Sequence, residues 1–115
     1  MLFMEDRKIF NKLVRDRIPE IIESHGNIPE IEVLDDLAYS KALDEKLREE
    51  CNELFEANSR EAKVEEIADT LKVLHAIADT LNITMDEIEN VRKHKQEKRG
   101  AFKKKFFLKS TTPKI

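Results

Sequence analysis

Residues that break regular structure are scarce in this chain, with two glycines and three prolines in 115 positions. So few interruptions favour long helices over a many-turned β fold. The hydrophobic period agrees. Leu43, Leu47, Cys51 and Leu54 recur at spacings of four, four and three, which predicts a helix over about 36–58 with Asp35 or Asp36 as its N-cap. Asn58-Ser59-Arg60 is the weakest helical stretch and marks a turn, after which a second long helix is expected over 61–81. Thr84, with Glu87 three residues on, forms a capping box for a third, ended by Gly100.

Nearer the amino terminus, 11–16 reads as a short extended segment. A short helix over 18–25 follows, with Pro19 near its first position and Gly26 as its stop. The alternation in 30–34 suits a short strand, and 105–109, containing Phe106-Phe107-Leu108, suits a second that pairs with it. The fold class is therefore mainly α, an antiparallel helical bundle with a small two-stranded β element. Residues 1–115 are expected to form a single domain, with 1–10 as a loose leading segment and 110–115 as a tail. No repeat or low-complexity linker interrupts it.

Hydrophobic residues at 40% suffice for a core, but a chain this short buries little surface alone, and 39% of its residues are charged. Self-association that completes the core, as a homodimer or homotetramer, is the expectation. The formal net charge of −3 argues against bulk nucleic-acid binding as the main role. That charge is uneven, because 92–109 holds nine Lys and Arg against the single acid Glu97. One cysteine, Cys51, excludes an intramolecular disulfide and suits a reducing compartment. No apolar run approaches the roughly 20 residues of a membrane span, and no signal-peptide core opens the chain, so the expected location is cytoplasmic.

The stretch from Glu49 to Leu71 contains Glu50-x-x-Glu53 and Glu66-x-x-Asp69. If the two long helices form an antiparallel hairpin turning near 59–60, Glu53 lies level with Glu66 and Glu50 with Asp69. Each pair, at i and i+3, projects from one side of its helix. The second helix is apolar on two sides. Val64, Ile67, Leu71, Leu74, Ala78 and Leu81 form one stripe, and Glu66, Asp69, Val73, Ala76 and Ile77 form another nearly opposite. A helix apolar on two sides is buried on two sides, so the acids at the head of the second stripe enter a covered region.

Carboxylates that close repel one another unless a hard cation holds them. Two Mg²⁺ ions, with Mn²⁺ as a substitute, would cancel four such charges, and two-metal sites suit phosphoryl chemistry. No paired Cys/His spacing points to zinc. The alternative is an ordinary solvated helix face, for which E-x-x-E is common.

The two acidic pairs resemble the signature of the MazG-like all-α nucleoside triphosphate pyrophosphohydrolases. Two flanking segments are similar to a small subgroup of that superfamily: Lys12-Leu13-Val14-Arg15-Asp16-Arg17-Ile18-Pro19 and Lys98-Arg99-Gly100-Ala101-Phe102. The resemblance covers roughly 11–109, with Ala101 in place of the usual second glycine of R-G-G-F. It implies a helical dimer or higher assembly, Mg²⁺ dependence, and cleavage of a nucleotide between its α and β phosphates to a monophosphate and pyrophosphate. Carried over residue by residue, it makes Glu50, Glu53, Glu66 and Asp69 metal ligands. Glu49 and Glu53 become the catalytic candidates, Glu49 either supporting a ligand or activating water. Phosphate neutralisation then falls to Lys98 and Arg99 with Lys95, and next to Lys12 and Arg15.

Other residues invite plainer readings. His25 is expected to cap a helix end, His75 and Cys51 to pack, and Phe102, Phe106 and Phe107 to fill a strand-side core; His94 has no partner legible in the sequence. A Mg²⁺-dependent NTP or dNTP pyrophosphohydrolase is the leading expectation for function, with clearance of non-standard nucleotides as one role it could serve. A phosphoribosyl-ATP pyrophosphohydrolase of histidine biosynthesis and a non-catalytic helical interaction module are the alternatives.

Overall fold

A computed structural model describes residues 6–115. Its helices are α1 (Ile18–Ser24), α2 (Asp36–Glu56), α3 (Arg60–Thr80) and α4 (Met85–Arg99). Among the described residues there is no strand, so the fold is all-helical. The expected loose segment at 1–10 lies partly outside the described residues. The chain divides into two compact units, one reaching Asn82 and the other Ile83–Ile115.

In the first unit α2 and α3 pack against each other as a hairpin. Local chemistry fixes the ends of each helix. Asp35 Oδ1 accepts from Ala38 N at 2.8 Å to open α2, and Ser59 Oγ accepts from Ala62 N at 3.1 Å to open α3. Both satisfy amides that a helix leaves without partners in its first turn. The turn between them is further tied by Lys63, whose amine donates to Leu54 O at 2.6 Å. Ser59→Ala removes the α3 cap and is expected to cost about 1 kcal/mol, read as a lower urea midpoint with an unchanged slope. At the end of α1, His25 Nδ1 lies 2.9 Å from Ile21 O, the cap interaction expected of it.

Leu43 of α2 and Val73 and Ala78 of α3 are the buried apolar side chains among the described residues. Val73 and Ala78 come from different stripes of α3. The remaining members of the first stripe, Val64, Ile67, Leu71, Leu74 and Leu81, stay exposed. One side of α3 thus faces α2, while most of the other has no cover in a single chain.

The second unit holds α4, capped by Thr84 Oγ1 accepting from Glu87 N at 3.1 Å. It ends at Gly100, whose φ of +81° is one that L side chains rarely adopt. Ala101 is not among the positive-φ residues. The alanine therefore costs the backbone nothing where the resemblance leads one to expect a second glycine.

The expected β element is not formed. Residues 30–34 carry no ladder, and the 105–109 candidate begins with Lys105 at φ +58°, closing a turn in which its N–H donates to Phe102 O at 3.2 Å. A left-handed residue cannot open a strand. Phe102, Phe106 and Phe107 accordingly fill no core, and they stand 98%, 86% and 86% exposed.

A candidate metal centre on the helical hairpin

Three of the four expected ligands converge. One carboxylate oxygen each from Glu50, Glu53 and Glu66 lies within 4.8 Å of the others, with α2 supplying two and α3 the third. Glu50 is the most enclosed, with 6% of its surface exposed. Its Oε2 and the Oε2 of Glu66 are both shut away from water without a hydrogen-bond partner. Buried polar oxygens without partners are uncommon and costly. Two such atoms in one cluster make it a site fitted for something that donates positive charge.

The protonation equilibria carry the same strain. Desolvation within the cluster, the close approach of Glu50 and the charges of Glu50 and Glu66 push Glu53 up to about 7, although its side chain as a whole is exposed. Partial burial and Glu50, with the charge of Asp69 behind them, raise Glu66 as well.

Asp69, the fourth expected ligand, is placed differently. It accepts a hydrogen bond from Arg15 Nη2 at 2.6 Å and is outside the three-carboxylate cluster. The guanidinium reaches it from a segment 54 residues away, a partner that helical spacing does not disclose. Glu49 likewise stands beside the cluster, 3.6 Å from Lys12 Nζ and 3.4 Å from Lys46 Nζ. The segment before α1 therefore puts Lys12 on α2 and Arg15 on α3.

Lys46 is a residue of the candidate site that the sequence reading did not single out. Its largely enclosed amine sits 3.2 Å from Glu50 Oε1, leaving Oε2 of that carboxylate to face the cluster. Burial alone would pull its pKa down, but the hydrogen bond to Glu50 and the charges of Glu49 and Glu50 win, and it is raised. The signal was present, since Lys46 stands three and four residues before Glu49 and Glu50, the spacing at which helix side chains meet.

With every acid ionised, five carboxylates (Glu49, Glu50, Glu53, Glu66, Asp69) set against three cations (Lys12, Arg15, Lys46) leave two negative charges. That is the charge of one divalent ion, where the four acids read alone suggested two. The ligand atoms are all carboxylate oxygens, the hard donors that Mg²⁺, Mn²⁺ or Ca²⁺ accept, and no His or Cys joins them.

In the second unit, Lys95, Lys98 and Arg99 occupy the last turns of α4 and line a shallow concavity with Asn90, Val91 and His94. Lys98 and Arg99 also complement the negative end of the helix dipole. His75 is half-buried on α3, and Cys51, a free thiol, is half-buried on α2. No described helix is long and apolar enough to cross a membrane.

No family model matches the chain, and no solved structure does either. It is similar to an uncharacterized protein of Mycolicibacterium smegmatis (strain ATCC 700084 / mc(2)155), with 52% identity over 54 residues, 47% of this chain and 55% of that protein. The chain thus spans about half the length of the curated relative it matches.

Proposed function

We propose that this protein is a Mg²⁺-dependent nucleotide pyrophosphohydrolase, cleaving a nucleoside triphosphate between its α and β phosphates. The observation that carries this reading is the pair of enclosed, partnerless oxygens on Glu50 and Glu66, held with Glu53 at one point of the α2–α3 hairpin. The sequence likeness at Lys12–Pro19, at the two acidic pairs and at Lys98–Phe102 supports it.

Glu50, Glu53 and Glu66 would hold the ion. Such an ion neutralises phosphate oxygens and makes a bound water more acidic. The remaining work belongs to the chain. Glu53, the most exposed of the three acids, is the one open to a water and placed to accept its proton. That favours it over Glu49, whose charge is already held by Lys12 and Lys46. Arg15 and Lys12 stand beside the acids and would neutralise the departing pyrophosphate. The exposed stripe of α3 and the small core support action as a homo-oligomer.

The test is a panel of standard and damaged nucleoside triphosphates plus phosphoribosyl-ATP, each with Mg²⁺, with Mn²⁺ and with EDTA. The expected products are a monophosphate and pyrophosphate, formed only with metal. Preference for phosphoribosyl-ATP assigns the chain to histidine biosynthesis. Orthophosphate as product moves the cut to the β–γ bond, and silence across the panel leaves a non-catalytic helical module.

A further inference from the structure

Two stretches lack the partner their chemistry calls for. Residues 28–35 and 106–115 run without turn, bend, helix or strand. Among the described residues, no backbone group of 28–34 or 106–109 makes a backbone hydrogen bond. Both expose apolar side chains, with Val33 93% exposed, Phe106 and Phe107 86% each and Leu108 78%. Scattered apolar residues on a surface are ordinary, but three in succession on an unpaired backbone are a template for another strand.

We propose that 30–34 of one chain pairs edge to edge with 106–109 of a second copy, and that the second copy returns the exchange. The apolar pattern matches on one face, while on the other Phe107 falls opposite Glu32. With Val33 set opposite Phe106, Ile31 meets Leu108 on the same face, and Glu30 meets Lys109 on the other. Charge makes the match selective. Residues 30–36 hold four acids and no base, and 103–109 hold four lysines and no acid. Like charges discourage either segment from pairing with its own counterpart, while opposite charges favour the exchange, even though Glu30 also holds Arg7.

A twofold exchange satisfies both open edges at once and closes, so it adds no further chains. It also answers the sparse core, since a second copy brings apolar surface that one chain lacks. The assignment rests on these two segments alone and is independent of the nucleotide reading.

Val33→Cys and Phe106→Cys chains, each in a Cys51→Ser background, test it by mixing and oxidation with diamide. Opposed residues in an antiparallel pair lie about 4.5–5.5 Å apart at Cα, within disulfide reach. The expected result is a covalent dimer at twice the 13.5 kDa chain mass. It forms in the mixture, in neither chain alone, and not when Lys72→Cys replaces Phe106→Cys. Light scattering on the unaltered chain gives an even number of copies. Three outcomes overturn the proposal. One is an uncrosslinked mixture. Another is a Val33→Cys/Phe106→Cys chain that closes its own bridge and stays monomeric. The third is a monomeric chain whose tail instead retains a single-stranded oligonucleotide, lost on changing Lys103, Lys104 and Lys105 to Glu.

Discussion

Glu50→Gln is expected to lower turnover by about 100-fold or more while leaving the metal-free protein no less stable. The loss corresponds to about 2.7 kcal/mol of transition-state stabilisation, at about 1.4 kcal/mol per tenfold. It follows from Glu50 contributing the most enclosed oxygen of the cluster, one without any other partner. The stability half of the prediction separates a functional acid from a structural one. Gln keeps the volume, removes a negative charge beside Glu53 and Glu66, and leaves Lys46 its contact with Glu49. A group kept for function at a cost to the fold behaves this way. Pyrophosphate release and thermal unfolding in EDTA read the two halves. Full turnover in the variant removes the cluster from the reaction, and a Tm lowered by about 10 °C or more makes Glu50 a structural residue instead.

The second large effect is a reversal of pH dependence by metal. Folding raises Glu53 from an ordinary 4.5 to about 7, and Glu66 moves the same way. Between those two values the folded chain keeps a proton that the unfolded chain releases. The associated stability is complete below 4.5 and is lost as pH rises through about 7. Without metal, Tm should therefore fall from pH 5 to pH 8. On the proposed function Mg²⁺ would bind the deprotonated cluster, so its stabilisation should grow over the same interval. At a hundredfold excess over Kd it reaches about 2.7 kcal/mol, roughly 10 °C for a chain of this size. Thermal scans at pH 5, 6.5 and 8, with EDTA or Mg²⁺, check both slopes. A Tm indifferent to pH in EDTA and to Mg²⁺ at pH 8 contradicts the arrangement of the three acids.

The helices were legible in the sequence because what makes them is local. Asp35 and Thr84 cap where their side chains and following residues said they would, and α2 and α3 begin and end within two residues of their expected limits. The convergence of Glu50, Glu53 and Glu66 was legible for the same reason, since helical spacing and one short turn determine it. Distant partners were not. Nothing in the spacing of Glu66-x-x-Asp69 says that Arg15 will take Asp69. The strand pairing failed similarly, because alternation describes a segment's faces but not which chain supplies its edge. Phe106 and Phe107 were read as core on that failed pairing. Lys46 is the opposite case, a local signal, since it precedes Glu49 and Glu50 by three and four residues on one helix.

Lys12 and Arg15 stand on the acids that border the candidate centre. In the resting protein, Glu49 and Asp69 hold the positions that an anionic guest would claim on those two cations. Such a guest enters by exchange, displacing carboxylates already in place, so its apparent affinity reflects a contest between anions. If the site takes nucleotides as proposed, a weak, short-tailed phosphate would lose that contest where a polyphosphate would win, and the protein's own side chains would set a threshold of charge for admission.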